Sequence, residues 1–173
     1  MEIELEKTYL VKFLPNLSDF DFSSEMKDVY IPIDSDHPQI RLRRQGTKLF
    51  LTKKVPTTSG QGFEEYTIPL SEKEYSVFEK VEGRVLAKTR YNKIISPHIT
   101  CHLDVYKETL KGLVIVDFEF ISEEVMKSFV PPDYCLVEVS KNSPLAGGLL
   151  AGKSFVDLEE WVFRKFNYTK LIS

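Results

Sequence analysis

The sequence predicts an α+β fold in which strands dominate, arranged as a barrel with a polar lumen and with helices over its outer apolar face. Three observations carry that expectation. About eight segments read as strands against three or four that read as helices. The connections are short and carry turn formers, as at Gln45-Gly46-Thr47, Pro97 and Gly112, which suits antiparallel pairing. Charges also recur at alternate positions: the triplet Glu2-Glu4-Glu6, the pairs Arg41-Arg43 and Asp117-Glu119, and the single Lys54 after Thr52. Residues i and i+2 of a strand share a face, so each such pair projects two like charges from one side. A solvated flat sheet explains any one pair. Four such stretches of segregated sign favour a polar lumen.

The elements follow in order. Residues 2–11 alternate as a first strand that ends at Lys12-Phe13-Leu14-Pro15, and 15–27 read as a loop with a helical turn around Leu17 to Phe22. Val29–Ile33, Gln39–Arg44 and Lys48–Val55 read as strands, the last two joined by a hairpin turn. The stretch from Pro56 to Gly62 is a flexible loop by composition, and Glu64–Leu70 is the next strand. Ser71 caps a helix that runs to about Val81, where Gly83 breaks it. Arg84–Ile95, His98–Lys107 and Leu113–Phe120 are strands, and Ser122 caps a helix to Phe129 that Pro131-Pro132 stops. Cys135–Ser140 is a short strand, and Gly147-Gly148 reads as a flexible hinge. A closing amphipathic helix over Val156–Phe166 presents Leu158, Trp161, Val162 and Phe166.

Composition bounds the rest. At 173 residues and 20.0 kDa, with 42% hydrophobic and 28% charged residues, the chain reads as one domain, 1–173, with room for a core. A net charge of -3 gives no general attraction to nucleic acid or anionic membrane, so neither is expected as a partner and any polyanion site must be local. The opening MEIELEK is unlike a signal peptide, and Cys101 and Cys135 are expected as reduced packing residues, so a cytoplasmic location is expected. The sequence is compatible with a homodimer and does not set the oligomeric state.

The alternating charges suggest chemistry. Hard divalent cations such as Mg²⁺ or Mn²⁺ take carboxylate, phosphate and water oxygens. Glu4 and Glu6 on one strand, facing Asp117 and Glu119 on another, would supply such a set. Arg41, Arg43, Lys54 and Arg90 are the phosphate candidates, because a guanidinium forks onto two oxygens and an ammonium is a compact charge. A linear triphosphate carries about four negative charges, which those cations and a metal would roughly balance.

Lined up in order, these segments resemble the CYTH proteins, or triphosphate tunnel metalloenzymes. Glu4-Leu5-Glu6-Lys7-Thr8-Tyr9-Leu10-Val11 is similar to the family's opening ExExK signature, followed by Ile40-Arg41-Leu42-Arg43 and Phe50-Leu51-Thr52-Lys53-Lys54. Glu65-Tyr66, Glu82-Gly83-Arg84, Lys88-Thr89-Arg90-Tyr91, Leu103-Asp104-Val105-Tyr106, Val116-Asp117-Phe118-Glu119-Phe120 and Glu138-Val139-Ser140 complete the series. The resemblance spans nearly the whole chain and is closest to short bacterial inorganic triphosphatases.

It implies an eight-stranded antiparallel tunnel-like barrel and a metal-dependent triphosphatase acting on inorganic tripolyphosphate or an organic or nucleoside triphosphate. Carried over by position, Glu4, Glu6, Asp117 and Glu119 would hold Mg²⁺ or Mn²⁺, and Arg41, Arg43, Lys54 and Arg90 would bind and polarise phosphate. Glu65 and Asp104 would orient those cations or a second metal. Two departures stand out: Thr8 replaces the Lys of ExExK, and Leu145-Ala146-Gly147-Gly148 stands where a basic side chain is usual. Losing one charge-assisted phosphate contact costs about 2–4 kcal/mol, so the alternative is a weak or inactive binding protein for triphosphate or polyphosphate. Adenylyl cyclase activity is disfavoured, since nothing marks a base-recognition pocket. Tyr91, next to Arg90, could line the tunnel, with packing as the alternative since most of the eight tyrosines must pack, and His102 is expected to be structural rather than a general base.

Overall fold

The computed structural model describes residues 5–35, 38–56, 63–141 and 145–171, without the side chains of Pro56, Phe63, Glu160 and Trp161. Glu2, Glu4, His37, the loop 57–62 and the Trp161 side chain therefore lie outside the described residues. Among the described residues nine strands are present, against the eight that the resemblance implies: β1 (Leu5–Val11), β2 (Phe22–Ile31), β3 (Ile40–Gln45), β4 (Lys48–Pro56), β5 (Phe63–Pro69), β6 (Arg84–Ser96), β7 (Ile99–Tyr106), β8 (Val114–Phe120) and β9 (Cys135–Glu138). Their hydrogen-bonded order is β5-β4-β3-β2-β6-β7-β8-β1-β9, and the extra member is the four-residue β9 on β1. Every ladder with a resolved register is antiparallel. The helices are short: α1 (Glu72–Phe78), α2 (Glu123–Ser128), α3 (Gly147–Leu150), α4 (Phe155–Leu158) and α5 (Arg164–Phe166). Among the described residues no helix is long and apolar enough to cross a membrane.

The chain divides into two compact units, Met1–Ser24 with Lys88–Ser143 and Lys153–Ser173, and Glu25–Ala87 with Pro144–Gly152. In the first unit the odd residues of β1 and β7 and the even residues of β8 form an apolar face. Tyr9, Val11, Cys101, Leu103, Val114, Val116, Phe118 and Phe120 are buried there, with Val125, Met126 and Phe129 of the α2 segment packed on them. Each fully buried large apolar side chain contributes about 1.5–3 kcal/mol. Tyr91 belongs to this face and meets Phe20 edge-on, so it is not on the charged side with Arg90; adjacent strand residues point opposite ways.

In the second unit Val29, Leu42, Leu49 and Tyr75 make the corresponding cluster, so α1 covers the apolar side of β2 to β4. Ser71 starts α1 through a reciprocal capping box with Glu74, and the αL residue Gly46 (φ 55°) turns β3 into β4.

Three segments depart from expectation. β2 begins at Phe22, inside the stretch expected as loop, because Met26, Asp28 and Tyr30 alternate inward as buried residues. An inward Asp disguises that alternation. Gly147-Gly148 is no hinge: it opens α3, and a Cβ on Gly147 would stand 2.5 Å from the Tyr30 hydroxyl. The closing helix is interrupted by a π turn over Glu159–Phe163 that lets Phe163, as well as Leu158 and Val162, be buried.

Candidate functional site

Opposite each apolar face lies a charged one, and register decides its membership. In the first unit Glu6 stands across from Glu119, Thr8 from Asp117, His102 from Asp117, and Arg90 from Asp104. Directly opposed residues of an antiparallel pair share a face. Glu6, Thr8, Lys88, Arg90, Asn92, His102, Asp104, Asp117 and Glu119 therefore line one side of β1, β8, β7 and β6. In the second unit Asp28 opposes Arg43, Tyr30 opposes Arg41, Arg41 opposes Thr52, and Lys54 opposes Glu65.

Asp104 anchors the first group. It is 1% exposed and accepts from Arg90 Nε at 2.7 Å, from Arg90 Nη2 at 2.8 Å, and from the Lys88 ammonium. Burial opposes its ionisation, but the Lys88 and Arg90 charges outweigh that and hold its pKa down to about 2. Asp117 accepts from the Thr8 hydroxyl at 2.8 Å and lies 3.7 Å from Arg90 Nη2. Burial first, and then the nearby Asp104 charge, push its pKa up. His102 meets Asn92 Oδ1 through Nδ1 at 2.7 Å and Glu119 through Nε2 at 3.3 Å, and the Glu119 carboxyl is held below its ordinary range mainly by that imidazole.

The second group is built from three cations and two acids. Arg43 grips Asp28 with Nε at 2.7 Å and Nη2 at 2.6 Å. Arg41 reaches Thr52 at 3.5 Å and Glu65 at 3.8 Å, and Glu65 pairs with Lys54. Arg41 Nε is buried and has no hydrogen-bond partner among the described residues. Burial works against the Glu65 carboxylate, but Lys54 and then Arg41 and Arg43 bring its pKa below the usual value. The Tyr30 hydroxyl is pushed up to about 12 by burial and by the Asp28 charge.

Of the residues expected from sequence, Glu6, Asp117 and Glu119 share one face with Arg90 and Asp104, and Arg41, Arg43, Lys54 and Glu65 share another; Glu4 lies outside the described residues. Two partners on these faces were overlooked. Lys88 stands two residues before Arg90, and the i, i+2 rule applied to the other pairs marks it as well. Asp28 could be found only by reading 22–31 as a strand. Thr8, in the place of the signature lysine, does face the charged side.

The donor chemistry fits a hard divalent ion: Glu6, Asp117 and Glu119 offer carboxylate oxygens from facing positions of β1 and β8. Among the described residues no group of three or more His, Cys, Asp or Glu is gathered closely enough to hold a metal by itself.

A strand-built protein with apolar strand faces under short helices, and with acids and arginines paired across the opposite faces, belongs to the class of antiparallel β folds with charged strand faces. No protein-family model matches the chain. An inorganic triphosphatase of Nitrosomonas europaea is 30% identical over 150 residues, which cover 86% of this chain and 96% of that protein. The crystal structure of the inorganic triphosphatase NE1496 superposes with a TM-score of 0.68 at 28% identity, over 88% of this chain and 97% of that one. The Bacillus halodurans protein bh2851 shares the fold at a TM-score of 0.52 and 15% identity, over 99% of this chain and 94% of that one. The chain belongs to the CYTH, or triphosphate tunnel metalloenzyme, family, whose members are typically metal-dependent.

Proposed function

We propose that this protein hydrolyses a triphosphate, inorganic tripolyphosphate foremost, to pyrophosphate and phosphate with the help of Mg²⁺ or Mn²⁺. The observation that carries the reading is the near full-length likeness to an inorganic triphosphatase together with arginine and lysine side chains standing across from acids on the charged faces. Arg41, Arg43, Lys54 and Arg90 bind phosphoryl oxygens; Glu65 and Asp104 hold their neighbouring cations in place. Glu6, Asp117 and Glu119, with Glu4, would hold the divalent ion. When bound, that ion supplies compact positive charge for the phosphoryl oxygens and the attacking water. Water adds to the terminal phosphorus, the bridging P–O bond breaks, and the arginines stabilise the charge that passes to the leaving pyrophosphate.

A specific observation favours a second reading, a binding protein without turnover: Thr8 occupies the position of the signature lysine and is itself bound to Asp117. Phosphate release from tripolyphosphate, ATP and thiamine triphosphate separates the two. The expected outcome is release that needs Mg²⁺ or Mn²⁺, is abolished by EDTA, and is fastest with tripolyphosphate. No release from any of the three, with tight metal-dependent binding, would replace the enzyme by the binding protein. Arg41→Ala is expected to lower kcat/KM for tripolyphosphate about 100-fold, and an unchanged value would remove Arg41 from the site.

A further inference from the structure

We propose that Asp28 is a positioning residue, which fixes the guanidinium of Arg43 in the orientation that receives a phosphoryl group. The inference rests on the triphosphatase reading above. Asp28 is 1% exposed and sits directly across from Arg43 in the β2–β3 ladder. Both of its carboxylate oxygens are engaged, one by Nε at 2.7 Å and one by Nη2 at 2.6 Å. The Arg43 side chain keeps 16% exposure, so it is held from below without being sealed. A guanidinium is planar, and fixing its Nε–Nη2 edge sets the direction of the Nη1 edge.

Stability alone is a poor reason for this pair. A buried ion pair seldom out-stabilises apolar residues of the same volume. The neighbours of Asp28 on the same face, Met26 and Tyr30, are buried at 3% and 5% exposure, so the strand could carry an apolar residue between them. The same arrangement also recurs in the other unit: Asp104, equally buried and directly across from Arg90, takes Nε at 2.7 Å and Nη2 at 2.8 Å. Two separate ladders thus arrive at one device, a buried aspartate gripping one edge of an arginine. Arg41 offers the contrast: it meets Thr52 at 3.5 Å and Glu65 at 3.8 Å. Holding a long side chain in its bound rotamer before the ligand arrives removes an ordering cost from binding.

The test compares the wild type with Asp28→Asn, Asp28→Glu, Arg43→Ala and the Asp28→Asn/Arg43→Ala double variant. Phosphate release from tripolyphosphate with Mg²⁺ gives KM and kcat. Calorimetry with tripolyphosphate in EDTA reads binding without turnover, and melting temperature reads the fold. Both Asp28 variants are expected to raise KM about tenfold or more with kcat changed less than about threefold. Asp28→Asn should add nothing once Arg43 is gone. Asp28→Glu keeps the charge and displaces the fork by one methylene, so it decides the matter alone if Asp28→Asn does not fold.

A wild-type KM in both variants with only a lower melting temperature would make Asp28 a purely stabilising residue and overturn the proposal. Tighter tripolyphosphate binding by Asp28→Asn would overturn it too, showing the carboxylate to be no more than a competing anion. A wild type that neither binds nor hydrolyses tripolyphosphate would defeat the functional reading, and this inference with it. Wild-type turnover that the Asp28 changes leave alone would defeat the inference only.

Discussion

Burial of the Asp104 carboxylate works against its charge, and two cations more than offset it. A carboxyl whose folded pKa lies below its unfolded value binds fewer protons when folded, so its stabilisation is present above the unfolded value and lost as pH falls through the folded one. For Asp104 that window runs from 3.8 down to about 2. The linkage amounts to about 2 kcal/mol. Urea unfolding across that range should therefore show wild-type stability dropping with acid by this amount more than in Asp104→Asn. The variant itself should be about 3–5 kcal/mol less stable at neutral pH, since it leaves Lys88 and Arg90 without their anion. Equal acid slopes in the two proteins would mean that Asp104 is not held ionised. Thr8 supplies a second residue-scale expectation. Its hydroxyl touches Asp117, so Thr8→Lys would bring an ammonium to that carboxylate and should tighten tripolyphosphate binding about tenfold. Calorimetry showing no change would place the substrate out of reach of position 8. At this scale the sequence was most legible where charges alternate in apolar surroundings, as at Asp117-Glu119. It was least legible at Asp28, whose polar flanks resemble a loop, and at Lys88, whose spacing from Arg90 was plain but unused.

Among the elements, strands from β3 to β8 lie within about two residues of the bounds that alternation and turn residues indicate. β2 does not, because a strand that turns an aspartate inward breaks the hydrophobic signal on which periodicity depends. The capping serines, Ser71 and Ser122, were readable because a cap is a local interaction between near neighbours. α3 was hidden for the opposite reason. Its two glycines look like a hinge locally, whereas the need is tertiary and lies at Gly147, which lets the backbone come up to the Tyr30 hydroxyl. Gly147→Ala should therefore destabilise the protein by about 1–3 kcal/mol, because its methyl meets the Tyr30 hydroxyl. Gly148→Ala makes only ordinary contacts at 3.5 Å and should be neutral or slightly stabilising through helix propensity. Thermal or urea denaturation separates them, and equal effects would mean that α3 does not rest on Tyr30.

For the molecule as a whole, the division of strand faces was the legible part. Alternation distinguishes an apolar side from a charged one, and helices placed by their caps cover the former. Which cations pair with which acids was not legible, since that depends on register across strands far apart in sequence. The pairing carries a consequence in the first unit. On its charged face the described carboxylates Glu6, Asp104, Asp117 and Glu119 outnumber the cations Lys88 and Arg90. Such a surface repels an anion and is strained by its own charge. Mg²⁺ or Mn²⁺ should consequently raise the melting temperature in the complete absence of phosphate. At a hundred times the dissociation constant the gain is about 2.7 kcal/mol, or roughly 5–10 °C for a protein of this size. Sodium chloride of equal ionic strength should not reproduce it, and a melting curve indifferent to divalent ions would count against an acidic metal face. On that face a polyanion is therefore expected to bind more weakly before a cation has arrived than after it.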